Sequence, residues 1–212
     1  MKDIPVFTTE NGVASLALAQ IPYRGEAYIR LQSSREPVLF LRECAQFLRA
    51  CGAQTVYATG EDVPPHWPVY TALWQMSVPA EVLPDTDAAL WPVLPENLEQ
   101  WLRIYREKVT KVPTGAWMTE AQGREMLQKG EGYFVHRNGQ LLGIGRISGD
   151  TLHFVASVSP SAGADVVAAL AHATAEPVLQ LTVASANEKA RNLYERLGFC
   201  KTREICKWYC IE

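Results

Sequence analysis

The sequence predicts an α/β protein built on a mixed sheet, and three features carry that prediction. Residues 95–212 read as two helices, three consecutive strands, and then helix, strand, helix and strand. The stretch 181–199, LTVASANEKARNLYERLGF, joins an apolar strand to a helix with one apolar face and ends it at Gly198-Phe199. Residues 13–78 carry a shorter pattern, ββαββ, so a smaller α+β region precedes the larger one.

Taken in order, VASLALAQI alternates apolar and small residues, turns at Pro22-Tyr23-Arg24-Gly25 and continues as EAYIRLQ, which makes two antiparallel strands. From Glu36 to Ala50 the residues Val38, Leu41, Cys44, Leu48 and Cys51 fall at helical spacing, with Gly52 as the stop. Both cysteines are therefore expected to face inward as small hydrophobes. Thr55–Ala58 and Val69–Val78 are the next strands. Pro79, Pro84 and Pro92 then punctuate a segment that cannot run as a continuous helix or a central strand. The expected organisation is thus a region 1–78, a proline-rich linker 79–94 and a domain 95–212.

Pro95 suits the first turn of a helix running to Lys111, whose apolar face holds Leu98, Trp101, Leu102 and Tyr105. Thr119 and Gln122 form a capping-box pattern for a second helix, which Gly130 ends. GYFVHR and QLLGIGRIS meet across Asn138-Gly139, a strong hairpin signal, and Gly149-Asp150 turns into TLHFVASV. A small-residue segment, Ser159–Ala164, leads into a helix for which Asp165 reads as the cap. After the strand VLQLTVA, Ser185 and Glu188 read as the capping box of a helix bearing Ala190, Leu193, Tyr194 and Leu197 on one face. A final strand spans 201–211.

The totals narrow the function classes. Hydrophobic residues at 48% and charged residues at 20% describe an ordinary soluble domain. A net charge of −3 argues against a nucleic-acid partner. The acidity lies at the front: residues 1–94 hold six Lys/Arg against ten Asp/Glu, and the rest hold fourteen against thirteen. No apolar run is long enough to cross a bilayer and the N-terminus has no signal-like apolar core, so a cytoplasmic protein without a membrane partner is expected. Five cysteines make no CxxC and pair with no nearby histidine, so no metal is expected.

The residues Val183, Asn187, Ala190, Leu193-Tyr194-Glu195 and Gly198-Phe199 resemble the C-terminal signature of the GNAT superfamily, the acyl-CoA-dependent N-acetyltransferases. Together with the element order, the resemblance covers about 93–212 and implies the GNAT acyltransferase fold there. The ββαββ order of the N-terminal region is what half of such a domain would show, which implies a degenerate GNAT-like half.

The resemblance further implies acetyl-CoA, or another acyl-CoA, as co-substrate and a small-molecule or peptide amine as acceptor. Asn187 would contact the pantetheine arm, and the Tyr194 hydroxyl would lie near the cofactor sulfur as general acid. The pyrophosphate would sit on the loop Val158, Ser159, Ser161, Ala162, Gly163 and Ala164 and the helix after it, with a backbone N–H near Val158 for the oxyanion. This loop departs from the family pattern, since it has one glycine, Gly163, and no Arg or Gln ahead of it. A second reading therefore stands beside the first: a GNAT-like binding or regulatory module without turnover. His136, His153 and Glu131 are candidates for a general base, each equally readable as a surface residue. Trp117, Trp208 and Tyr209 could line an acceptor site or belong to the core.

Overall fold

A computed structural model describes residues 5–212 of the chain. The described residues form two compact units, one reaching to Leu73 and joined by 204–212, and one of residues 74–203. In the first unit, β1 (Val6–Thr9), β2 (Gly12–Ala17), a short helix α1 (Ile21–Arg24) and β3 (Glu26–Ser34) lead to α2 (Pro37–Ala50) and β4 (Thr55–Thr59). β1, β2 and β3 pair antiparallel, and β3 and β4 pair parallel over five positions, from Glu26↔Thr55 to Arg30↔Thr59. The end of a long last strand, β11 (Cys200–Ile211), pairs antiparallel with β4. The turn expected after Ile21 is α1, closed by Gly25 at φ +66°.

α2 buries Phe40, Leu41, Cys44, Ala45 and Leu48 against Ala14, Leu16, Ile29, Val56 and Ile211. Cys51 corrects the expected helix face. It is the C-cap residue and is exposed, because the helix ends one residue before the turn that would bring it round to the core.

From Leu98 onward the elements come in the expected order of two helices, three strands, and then helix, strand, helix and strand, while the second unit also takes in strands ahead of them. β5 (Val69–Pro79), which the chain shares between the units, is followed by β6 (Ala89–Pro92), α3 (Leu98–Val109), α4 (Glu120–Gln128), β7 (Gly132–Arg137), β8 (Gln140–Ser148) and β9 (Thr151–Ser157). α5 (Gly163–Ala171), β10 (Val178–Ala184), α6 (Glu188–Arg196) and the start of β11 complete it. The strand order is β5-β10-β9-β8-β7-β6, so the expected linker contributes a strand, β6. Its proline is tolerated because β6 pairs with β7 alone and lies at the edge of the sheet, where a missing N–H breaks no ladder. Thr119 and Gln122 make the predicted capping box, with Thr119 Oγ1 accepting from the Gln122 N–H at 3.3 Å and Gln122 Oε1 accepting from the Thr119 N–H at 2.9 Å.

Two apolar layers sandwich this sheet. α3 and α4 press Trp101, Leu102, Tyr105 and Met126 onto Phe134 and Ile144. On the opposite face Val166, Val167, Leu170, Tyr194 and Leu197 join Leu152, Leu179, Leu181, Val183 and Phe199. Glycines in β8 allow α5 to lie directly on the strand: a Cβ at Gly145 would stand 2.1 Å from Leu170 Cδ1. Gly145→Ala should therefore destabilise the protein by about 1–3 kcal/mol through overpacking. Urea unfolding checks this, and an unchanged midpoint would show that α5 does not rest on β8 as described.

Candidate functional site

The parallel neighbours β9 and β10 touch at only two positions, Gln180↔Thr151 and Leu181↔Leu152. Both strands continue beyond that point, β9 to Ser157 and β10 to Ala184, without pairing, so a wedge opens between them. A hydrogen-bond ladder ties the closed end. Asp150 accepts from Thr151 Oγ1 at 2.7 Å and from Gln180 Nε2 at 2.7 Å, Gln180 accepts from Gln75, and Gln75 Oε1 accepts from Arg203 Nε at 2.6 Å.

A β-bulge sits at the same point. Arg146 faces Phe154 and Ile147 faces Leu152, which leaves His153 as an extra residue on β9. The bulge flips the strand, so Leu152 and Val155 pack on the α5 side while Phe154 and Ala156 pack on the α3 side. Nothing in the local sequence marks a bulge, and neither it nor the depth of the wedge was legible there.

The expected oxyanion donor is already engaged. The Val158 N–H donates to the Leu142 carbonyl at 2.8 Å, and the Ser159 N–H reaches the same oxygen at 3.2 Å. Antiparallel pairing alternates inward and outward groups, so residues 154 and 156 turn toward β8, as Val158 does, and Val155 and Ser157 present their backbone polar groups to the wedge. Ser159 anchors the loop, its Oγ donating to the Leu141 carbonyl at 2.9 Å. Ser161 has φ +60° and Ala162, the N-cap of α5, follows at φ −77° and ψ 0°, a left-then-right sequence that turns successive N–H groups to one side. The N–H groups of Gly163, Ala164 and Asp165 are first-turn donors with no acceptor among the described residues. Gly163 also lets α6 approach, since a Cβ there would stand 2.8 Å from Leu193 Cδ2.

Asp165 does not cap α5. It is the third residue of the helix, and its Oδ1 accepts from Arg137 Nη2 at 2.5 Å and from Thr86 Oγ1 at 3.2 Å. Arg137 Nε is also 2.5 Å from Asp87 Oδ1. The carboxylate is thereby drawn away from the helix axis and balanced by a cation from the end of β7, a residue 28 positions earlier in the chain that no local motif could flag. The capping box expected at Ser185 and Glu188 is replaced by Asn187, whose Oδ1 accepts from the Ala190 N–H at 3.4 Å, while Glu188 is the first helical residue. Asn187 Nδ2 has no partner among the described residues.

Tyr194 is buried against Phe199, ring centroids 5.6 Å apart, and burial pushes its phenol up to about 12. Its hydroxyl has no hydrogen-bond partner among the described residues and is not sealed from solvent. Of the other candidates, Glu131 is taken up by Arg146, which donates Nε and Nη2 to Oε2 at 2.8 and 2.6 Å. His136 lies between the rings of Trp91 and Phe134 with its Nδ1 sealed. Trp117 stacks under Arg106 at 5.3 Å, Trp208 packs edge-on to Tyr28 in the first unit, and Tyr209 packs against the core of that unit. Two shallow concavities lie elsewhere on the second unit, one around His172, Glu176 and Pro177 and one along Lys189, Asn192 and Arg196.

No protein-family model matches the sequence, and no curated protein matches it. Solved structures do. A functionally unknown conserved protein from Staphylococcus epidermidis superposes with a TM-score of 0.63 at 13% identity, covering 98% of this chain and 93% of that one. A GCN5-related N-acetyltransferase from Kribbella flavida gives 0.59 at 13% identity, over 96% of this chain and 58% of that one. A GNAT-family acetyltransferase from Colwellia psychrerythraea gives 0.53 at 12% identity, over 98% and 84%. At these identities the likeness is one of fold, and with its mixed α/β sheet parted between β9 and β10 the chain has the GNAT acyltransferase fold.

Proposed function

We propose that the protein is an N-acetyltransferase that takes an acetyl group from acetyl-CoA to a small-molecule or peptide amine in a cytoplasmic setting. The observation that carries the reading is the wedge between β9 and β10, floored by unpaired strand edge and ending on open helix N–H groups. The residues present fit an acyl-CoA. The first-turn N–H groups of Gly163, Ala164 and Asp165, with the dipole of α5 behind them, suit a pyrophosphate, and the tie to Arg137 removes the repulsion that a bare Asp165 would exert. The edge groups of Val155 and Ser157 suit the arm's amides by strand addition. Bound there, acetyl-CoA supplies an activated acetyl thioester.

The chain's own residues would then do three things. A further outward N–H group on the unpaired edge of β9 polarises the thioester carbonyl, since the N–H groups of Val158 and Ser159 are bonded to the Leu142 carbonyl. Asn187 Nδ2 fixes the arm from the α6 side. Tyr194, kept neutral by its burial, donates a proton to the departing thiolate. The first unit supports the notion of a degenerate half: its β3, α2 and β4 repeat the strand-helix-parallel-strand plan of β9, α5 and β10, but zipped over five pairs with no wedge.

A binding module without turnover is the second reading, favoured by Leu193 lying over Gly163 and by the single loop glycine. Calorimetry with acetyl-CoA and CoA tests the first reading directly. Heat at micromolar to millimolar ligand is expected, and its absence would overturn it. Transfer to any amine would exclude the second.

Tyr194→Phe separates the roles of ring and hydroxyl. The hydroxyl has no protein partner to lose, so stability near neutrality should change by less than about 1 kcal/mol. Turnover should fall by roughly 10²–10⁴-fold. Because the folded phenol titrates at about 12 against an ordinary 10.0, its contribution is fully present below pH 10 and is lost as pH rises toward 12. Wild-type stability should therefore drop by about 3 kcal/mol more than that of the Phe variant across that window. Parallel alkaline unfolding curves, or equal rates, would remove Tyr194 from these roles.

A further inference from the structure

We propose that β1 pairs with the β1 of a second copy of this chain, closing a two-fold dimer at the edge of the first unit. The inference is independent of the acyl-CoA reading and concerns a different part of the molecule. Among the described residues β1 pairs with β2 alone and lies at the end of the first unit's sheet. The Leu16 N–H donates to the Pro5 carbonyl at 2.8 Å. With Val6↔Ser15 and Thr9↔Gly12 in the same register, residues 5, 7 and 9 turn their backbone polar groups toward β2. Val6 and Thr8 turn theirs outward, where no described residue meets them.

Side chains of α2 extend this edge. Phe7 packs against the helix, its ring centroid 6.1 Å from that of Phe40 and 5.2 Å from that of Phe47. Leu39, Glu43 and Phe47 stand four residues apart on that flank of α2. Glu43 is anchored to the β1–β2 turn, accepting from Thr9 Oγ1 at 2.8 Å and from Asn11 Nδ2 at 2.7 Å. Val6, Leu39 and Phe47 are left 61%, 51% and 42% exposed. Open backbone groups with bare apolar side chains beside them are what an added strand covers.

Charge and register select a second copy as the occupant. β1 reads VFTT and carries no charge, so a contact in which the strand meets itself opposes no like charges. Antiparallel pairing of Val6 with the partner's Thr8 gives every outward N–H and C=O of both residues an acceptor or donor. That register puts Phe7 beside the partner's Phe7 at a closely spaced, non-hydrogen-bonded position on the α2 face, with Phe47 of each copy alongside. The contact also closes on itself. On β6, the edge strand of the second unit, the Val93 N–H donates to the Gly132 carbonyl, so Leu90 and Pro92 hold the outward positions, and Pro92 has no N–H to offer. A copy's β1 therefore finds its ladder in another β1, which gives a pair and not a filament. The interface falls below the roughly 800 Å² per partner of a standard one, so the dimer dissociates on dilution.

Sedimentation of the whole chain over a dilution series, with amide hydrogen exchange at each end of it, is the test. The wild type should pass from dimer to monomer on dilution, and the Val6 and Thr8 amides should exchange about tenfold more slowly where the dimer predominates. Thr8→Pro removes an N–H that the monomer does not use, so the variant should keep its circular dichroism and remain monomeric. Val6→Lys changes a side chain that is already exposed and puts a charge into the contact, so it should weaken the dimer by about tenfold or more and decides the matter should the proline disturb the strand. A chain that stays monomeric throughout, with both amides exchanging freely, would overturn the proposal and leave the edge to a foreign strand. A dimer that persists in Thr8→Pro and Val6→Lys would overturn it too, by placing the contact elsewhere.

Discussion

The structure of the second unit turns on the early parting of two parallel strands. Neighbouring parallel strands ordinarily continue their ladder, because each lost pair leaves backbone donors and acceptors without partners. Here β9 and β10 separate after two pairs although both strands run on. Side chains hold that arrangement. The Asp150–Gln180–Gln75 ladder secures the closed end, and the bulge at His153 bends β9 away from the line that would continue the pairing. The core beneath is continuous, with Val155 and Val183 on opposite sides of the gap resting on one apolar cluster with Val166 and Tyr194. The wedge is therefore a built feature of the sheet, with a packed floor and an unpaired edge.

The same constraint explains the loop at the other end. Ser159 and Val158 are bonded back to β8 through Leu141 and Leu142, which fixes where β9 stops and where α5 can start. With the loop pinned, the first turn of α5 projects its N–H groups beyond the strand end. Arg137 then balances Asp165, so the helix terminus keeps the positive end of its dipole despite a carboxylate in its first turn. A glycine-poor loop can present its donors in this way, provided that its backbone takes the left-handed turn found at Ser161.

Much of this was written in local sequence. The order of elements in the second unit, the Thr119–Gln122 cap, the Asn138-Gly139 hairpin with φ of +50° and +77°, and the closure at Gly198 with φ +89° all depend on residues near each other in the chain. What local reading missed depends on distant partners. The edge position of β6 accommodates a proline that local rules exclude from a central strand, and Asp165 answers to Arg137 and not to its own helix cap. Asn187 displaces Ser185 as the cap because the chain turns at Ser185-Ala186 before the helix begins. The helical spacing puts Tyr194 on an apolar face, but that its hydroxyl has no partner among the described residues depends on surroundings distant in the chain.

On the proposed reading, the open wedge and the N-terminus of α5 together hold an acyl-CoA. Backbone amide spectra recorded while CoA is added test it most directly. Shifts are expected at Val155, Ser157 and Ser161–Asp165, with β3 and β4 of the first unit, zipped over five pairs, left unmoved. Saturating CoA that leaves the Gly163–Asp165 amides in place, or that moves the β3 and β4 amides in their stead, would contradict it.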